Sequence, residues 1–143
     1  VTIKKYYNIA KTKLFYITRS LTGEGVRKTL NIIQKEFPKL KIKKFQSGKK
    51  VFDWNIPEEW NVTDAYVIDK YNNKIIDFKK NNLHLVGYSI PTKKVFSKKK
   101  LFENLYFLKN QPKAIPYITS YYKKRWGFCV SYNEYKKLDK KYS

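Results

Sequence analysis

The stretch 116–131, PYITSYYKKRWGFCVS, brings aromatic and cationic side chains closer together than any other part of this sequence. Its aromatic residues are Tyr117, Tyr121, Tyr122, Trp126 and Phe128, and its cations are Lys123, Lys124 and Arg125. Aromatic faces stack on bases or sugars, and cations pair with anionic groups. The same side chains can instead pack inside a core. We therefore take Tyr121 and Trp126 as candidates for lining a substrate pocket, with core packing as the alternative.

Side chains that could catalyse a reaction are scarce. Glu58 and Glu59 are adjacent, so they cannot face each other across a substrate as an acid and base pair would, and a solvated turn is predicted. The only histidine, His84, has no second histidine or cysteine nearby and is predicted to be a hydrogen-bonded packing residue. No phosphate-binding loop, nucleophile elbow or zinc-ligand motif occurs. We predict no catalytic residue and no metal ligand in this chain.

A single thiol and the absence of long apolar runs bear on the compartment. Cys129 has no partner within the chain for a disulfide and is predicted to be a buried, inert thiol. No apolar run approaches the roughly 20 residues that cross a bilayer, and the first residues do not resemble a signal peptide. We expect a folded cytoplasmic protein with no membrane contact. The sequence contains no Met at all, which suggests a fragment of a longer protein.

The formal net charge of +21 comes from 32 Lys and Arg against 11 Asp and Glu. Such an excess ordinarily points to a polyanion as partner. However, only Arg19, Arg27 and Arg125 are arginines, and the lysines are spread through every segment. Because phosphate recognition favours the guanidinium fork, this pattern indicates a compositional bias toward lysine, and nucleic acid is not the expected partner.

Apolar spacing predicts two helices near the start of the chain. The first runs from Tyr7 to Thr18, and the second from Gly25 to Phe37, where Pro38 ends it. Gly23 and Gly25 allow the chain to reverse between them. The imperfect alternation over residues 40–45 predicts a strand after the second helix.

Beyond Gly48, short apolar runs alternate with Asn, Asp and Pro, so the middle of the chain is predicted to be β-rich. The clearest signal is a hairpin of residues 65–68 and 75–78 around Asn72 and Asn73. The remaining predicted elements are a strand at 92–96, a helix from the cap Ser97 to Leu108 and a helix from Asn133 to Lys141.

Four segments taken together resemble a bacterial family of zinc aminopeptidase-like proteins that carry a small inserted domain of unknown function and are often found at polysaccharide-biosynthesis loci. They are ITRSLTGEGVRKTL from Ile17, SGKKVFDWNIPEEWNVTDAYV from Ser47, DFKKNNLHLVGYSIP from Asp77 and IPYITSYYKKRWGFCVS from Ile115. They span most of the chain in order, which makes the resemblance more specific than any one motif.

The resemblance implies an α+β chain in three parts. Residues 1–48, two helices and a strand, would begin a peptidase-like α/β domain. Residues 49–125 would form a small β-rich inserted domain with one helix, and residues 126–143 would return to the peptidase-like domain. Phe128 and Cys129 would then lie in the core where the insert rejoins it. The metal-binding residues of the family would follow Ser143, so no zinc ligand is carried over to this chain.

The leading hypothesis is therefore the N-terminal fragment of a zinc-dependent aminopeptidase-like hydrolase. Its insert would shape substrate access, its partner would be the missing C-terminal catalytic domain, and its substrate would be a small peptide or amide. Zinc would belong to the full-length protein, and the fragment alone would be inactive. The alternative is a Lys-rich module that binds nucleic acid or anionic polysaccharide through Tyr121, Tyr122, Arg125 and Trp126.

Overall fold

The computed structural model describes residues 2–142. The chain forms two compact units, the first ending at Thr63 and the second beginning at Asp64. Helices are combined with three two-stranded sheets, so the predicted α+β class is confirmed. The domain boundaries at residues 48 and 125 stay predictions.

The first unit contains two helices. Helix α1 (Ile3–Ile9) continues as a π-helical turn over Ala10–Leu14, so the helical segment begins and ends about four residues earlier than predicted. Helix α2 (Glu24–Glu36) lies where its apolar stripe predicts. Its N-cap is Gly23, which has a φ of 136°, a backbone conformation that residues with a side chain rarely adopt. The reversal before α2 therefore depends on this glycine.

The first unit also contains a hairpin of β1 (Lys50–Val51) and β2 (Trp54–Asn55), turned through Phe52 at a φ of 54°. The strand predicted over residues 40–45 does not form, and those residues lie outside helices and strands. Alternation alone predicted it, but a strand needs a neighbour to pair its backbone groups, and no sheet in the described chain offers one there.

The second unit begins with the predicted hairpin. Strands β3 (Tyr66–Ile68) and β4 (Lys74–Asp77) pair antiparallel, and Asn72 takes the left-handed conformation expected of a turn residue, with a φ of 63°. A short 3-10 turn over Asn82–His84 follows, and Asn81 caps it by accepting a hydrogen bond from the Leu83 N–H.

The rest of the second unit departs from the sequence prediction in two places. Helix α3 (Lys98–Phe102) begins after the predicted cap Ser97 but ends six residues early, because the chain enters β5 (Leu105–Tyr106). The strand predicted at 92–96 does not form. Strand β6 (Phe128–Cys129) pairs parallel to β5. Helix α4 (Tyr132–Lys141) closes the unit.

The core of the second unit lies around these last elements. It is a cluster of the buried apolar side chains of Ile76, Leu105, Phe128 and Val130. Val86 and Cys129 are fully inaccessible to solvent. The expectation that Phe128 and Cys129 are core residues is therefore confirmed. Helix α4 is fixed by a capping box, in which the Ser131 side chain accepts from the Glu134 N–H and the Glu134 carboxylate accepts from the Ser131 N–H.

Candidate functional site

Residues 117–124 form a turn that we call the tyrosine loop, and its first half is fastened to Gly87. The Gly87 N–H donates to the Ile118 carbonyl at 2.9 Å, and the Ser120 N–H donates back to the Gly87 carbonyl at 2.8 Å. The Ser120 hydroxyl donates to that same carbonyl at 3.1 Å. Thr119 lies in the parallel bridge that results. The loop is thus attached to the segment that crosses the core at Val86.

The second half of the loop is held in the same way. The Lys123 N–H donates to the Ser120 carbonyl at 2.9 Å and closes a turn. Directly after the loop, the Arg125 carbonyl accepts from Ile90 at 3.0 Å, and the Gly127 carbonyl accepts from Val86 at 3.1 Å. Backbone hydrogen bonds at both ends therefore leave the loop little freedom to rearrange.

Arg125 belongs to the scaffold beneath the loop. Its guanidinium lies 5.2 Å from the centre of the Tyr106 ring, and Nη1 donates to the Tyr106 hydroxyl at 3.1 Å. Nη2 donates to the Thr119 carbonyl at 3.4 Å, and Nε is buried with no hydrogen-bond partner among residues 2–142. Arg125 therefore joins β5 to the loop through hydrogen bonds from both of its terminal nitrogens.

Three tyrosines stand edge to face at the outer side. The half-buried Tyr121 ring lies 5.0 Å from the Tyr88 ring at 79°, and 4.7 Å from the Tyr122 ring at 86°. Tyr88 is held at a φ of 61°, a left-handed conformation that costs a residue other than glycine about 1–3 kcal/mol. Tyr122 is 92% exposed, and Lys123 and Lys124 beside it are exposed as well.

The two predicted pocket residues have different neighbours. Trp126 is half-buried, with its ring 4.6 Å from Phe96 and 6.4 Å from Phe128, whereas Tyr121 contacts Tyr88 and Tyr122. Trp126 thus packs against the core, which is the alternative to pocket lining that the sequence left open. That the pair lines a substrate pocket stays a prediction.

His84 and Cys129 are both buried and contact each other within the second unit. Nδ1 of the buried His84 lies 2.8 Å from the Cys129 carbonyl, and because a carbonyl only accepts, Nδ1 carries the hydrogen. The pKa of the Cys129 thiol is raised to about 11 by burial, against the lowering effects of the Ile118 backbone and the Arg125 charge. His84 is therefore the packing residue that the sequence predicted.

The carboxylates do not supply a metal site either. Among residues 2–142 no group of three His, Cys, Asp or Glu side chains could hold a metal ion. Most of these acids are committed to ion pairs, such as Asp64 with Lys79 at 2.9 Å and Asp139 with Lys98 at 2.7 Å. The donor groups of residues 2–142 do not fit zinc, so no step of a metal-assisted reaction is derived for them.

An ion pair in the first unit was missed by sequence reasoning. The Arg27 guanidinium pairs with both oxygens of Glu59, with Nη2 to Oε2 at 2.8 Å, and Nε donates to Glu24 at 2.9 Å. The hydrogen bonds from Arg27 to Glu59 lower the pKa of Glu59, although burial opposes them. Glu59 is thus not a simple solvated turn residue. Because the partners are 32 residues apart in sequence, no local pattern predicted the pair.

No helix within residues 2–142 has the length and apolarity needed to cross a membrane.

Comparison with known proteins identifies relatives over nearly the whole chain. A protein of Clostridium acetobutylicum, named for polysaccharide biosynthesis and for an aminopeptidase-like domain, is 48% identical over 132 residues. This match covers 92% of the present chain and 30% of the relative. A crystal structure of a candidate peptidase from the same organism matches with a TM-score of 0.84 at 45% identity. It covers 95% of the present chain and 34% of the other.

The chain therefore spans about a third of the length of the relatives it matches, and the resemblance to aminopeptidase-like proteins is confirmed. A family model covers residues 59–143, more than half of the chain. The chain belongs to the family described as "Domain of unknown function (DUF2172)".

Proposed function

We propose that this chain is the N-terminal part of a zinc-dependent aminopeptidase-like hydrolase whose metal site lies in the rest of the protein. The observation that carries the proposal is the partial coverage: the chain matches about a third of relatives named for peptidase-like domains. In addition, residues 2–142 contain no group of three His, Cys, Asp or Glu side chains that could hold a metal ion. Zinc would bind in the remaining part, where it would activate water for attack on an amide. We keep the cytoplasmic location and the small peptide or amide substrate as parts of the proposal.

Uncovered apolar surface on the first unit supports the existence of a partner domain. Neither α1 nor α2 has a buried residue. Ile3 and Tyr16 are 87% and 79% exposed, and Phe15 and Tyr7 are also exposed. Apolar surface of this kind marks an interaction site. The occupant we propose is the aminopeptidase-like remainder, because the relatives carry about two-thirds of their length outside the matched part.

Mixing the chain with the separately produced remainder of the Clostridium acetobutylicum relative tests this arrangement. We expect a one-to-one complex by sedimentation, and we expect the double variant Ile3→Lys, Tyr16→Lys not to form it. Tyr71→Lys in the second unit, also at an exposed tyrosine, is the matched control and should bind normally. Failure of the unmodified chain to bind, or equal binding by all three proteins, would contradict the proposal.

The inserted part would shape substrate access through Tyr121, together with Trp126 at the start of the segment that follows it. This role is supported by the contact of the Tyr121 ring with Tyr122 and by the half-buried position of Trp126 against Phe96. In the full-length relative, truncating the side chain at the position equivalent to either residue should raise the KM for a peptide amide more than it lowers kcat. An unchanged KM in both variants would contradict it.

The alternative, a nucleic-acid module, was predicted on four residues, and two of them are engaged by other residues of the chain. Arg125 is occupied by Tyr106 and Thr119, and Trp126 packs on Phe96. The remaining Tyr121 and Tyr122 favour the other form of that alternative, a site for an anionic polysaccharide.

A further inference from the structure

We propose that the tyrosine loop binds an acidic polysaccharide. In this site the Tyr122 ring is the platform for a sugar ring, and the ammonium groups of Lys123 and Lys124 pair with carboxylates of the polymer. The proposal is independent of the hydrolase proposal above, because it concerns binding by this chain alone.

The loop is ordered before a ligand arrives. Ser120 is bonded to Gly87 through its N–H and its hydroxyl, and the turn to Lys123 is closed by a backbone hydrogen bond. Immobilising a loop at the moment of binding costs free energy that a pre-ordered loop does not lose. The backbone bonds therefore favour binding by the side chains that the loop presents.

The aromatic contacts fix the orientation of the exposed ring. Tyr122 stands at 86° to Tyr121, which in turn stands at 79° to Tyr88, so the edge of one ring meets the face of the next. Such pairs are worth about 0.5–1.5 kcal/mol each beyond the area they bury. Tyr122 nevertheless remains 92% exposed. An exposed, oriented ring suits the apolar C–H face of a pyranose, whose hydroxyl groups stay in water at the edges.

The charge around the loop is uncompensated. Residues 104–133 contain no Asp or Glu, and within residues 2–142 neither Lys123 nor Lys124 forms an ion pair. By contrast, other lysines of the second unit pair with carboxylates, among them Lys79 and Lys98. The two loop lysines are therefore available to carboxylates from outside the chain.

Carboxylates of a polysaccharide fit this site better than the phosphates and bases of nucleic acid. Phosphate recognition favours the arginine fork, and Arg125 is already bound to Tyr106 and Thr119. Single-stranded nucleic acid is held by successive bases on successive rings, whereas the two exposed rings of the loop, Tyr117 and Tyr122, are not consecutive, and Tyr121 beside Tyr122 packs on Tyr88. Lysines act as point charges and suit carboxylates spaced along a flexible polymer.

Affinity electrophoresis of the 143-residue chain in gels containing polygalacturonate, with neutral dextran for comparison, tests the site. We expect retardation by polygalacturonate only. Tyr122→Ala should weaken the affinity about tenfold, as expected for loss of one stacking ring. The double variant Lys123→Glu, Lys124→Glu should abolish retardation at physiological salt.

Two matched controls separate a site from bulk charge. Lys136→Glu with Lys137→Glu makes the same change of net charge on α4, and Tyr71→Ala removes another tyrosine, 70% exposed and beside Lys70. Both controls should bind as the unmodified chain does. Equal losses in the two lysine pairs, an unaffected Tyr122→Ala, or tighter binding of single-stranded DNA through the same residues would each overturn the proposal. Circular dichroism should be unchanged in all four variants because the altered side chains are exposed.

Discussion

Replacing Gly25 by alanine sets helix propensity against close packing. Gly25 is the second residue of α2, and a Cβ built on it would lie 1.9 Å from the Thr18 carbonyl oxygen. It would also lie 3.2 Å from the Arg19 Cα. Both neighbours are backbone atoms, which cannot rotate away as a flexible side chain does. The segment before α2 and the helix would have to move apart.

The two effects have opposite signs and known sizes. Alanine favours a helix over glycine by about 1 kcal/mol, whereas forcing extra carbon into packed space costs about 1–3 kcal/mol and occasionally more. Because the contact is with backbone at 1.9 Å, we expect the steric cost to lie at or above the upper end of that range. The free energy of unfolding should therefore fall by about 2 kcal/mol, a large part of the stability of a small protein.

Urea unfolding together with hydrogen exchange measured by peptide would follow this change. Exchange should become faster in α2 and remain unchanged in α4, which belongs to the other unit. Asn31→Ala on the exposed side of α2 is the control for propensity, and it should raise stability by at most about 0.7 kcal/mol. Gly48→Ala is the control for backbone conformation, since its φ is 81° and no atom lies within 4 Å of the added Cβ.

A Gly25→Ala protein as stable as the unmodified chain, or more stable, would refute the reasoning. It would mean that propensity dominates and that α2 does not approach Thr18 as closely as the structure shows. Loss of protection in α4 rather than in α2 would refute it as well.

Three further predictions concern the second unit. Burial opposes ionisation of Asp69, whose side chain is 1% exposed, but hydrogen bonds from Asn73, Tyr142 and Tyr71 outweigh it and lower its pKa from 3.8 to about 2. Its charge therefore stabilises the fold above pH 4 and ceases to do so as the pH falls toward 2. Acid unfolding should be less steep in Asp69→Asn than in the unmodified chain. Identical acid transitions of the two proteins would contradict this. The Cys129 thiol should react with a thiol reagent only after urea unfolding, because it is buried and its pKa is about 11, and rapid native-state labelling would show otherwise. Ser131→Ala should lower the free energy of unfolding by about 1 kcal/mol through loss of the α4 cap, with Ser131→Thr as the conservative control expected to retain most of it.

Features determined by neighbouring residues were predictable from the sequence. Helix α2 carries its own apolar stripe and is followed by Pro38, and the β3–β4 hairpin turns at Asn72, a residue type that tolerates a positive φ. The Ser97 cap before α3 was likewise predictable, because a serine side chain can accept from an N–H three residues later.

Features determined by distant residues were not predictable. Strands β5 and β6 are two residues each and pair across more than twenty intervening residues, so neither shows a periodic pattern. The reverse error occurred at residues 40–45, where alternating lysines resemble a strand but no partner strand is present in the described chain. The ion pair of Arg27 and Glu59 was not predictable either, because its partners are distant in sequence.

The candidate site was only partly predictable. Sequence identified the stretch around Tyr121 and Trp126 from its composition, yet composition does not distinguish an exposed ring from a packed one. Trp126 packs against the core cluster and against Phe96, thirty residues earlier, and Gly87 holds the loop that exposes Tyr122. Both contacts are properties of the folded chain.

Zinc content and hydrolysis of an aminoacyl-p-nitroanilide, measured on the isolated chain and on the full-length Clostridium acetobutylicum relative, would test whether the metal site lies outside this chain. We expect the relative to bind zinc stoichiometrically and to hydrolyse the amide in a chelator-sensitive way, whereas the isolated chain should do neither. Chelator-sensitive hydrolysis by the isolated chain with an equivalent of bound zinc would contradict it, and so would a full-length relative that binds no zinc.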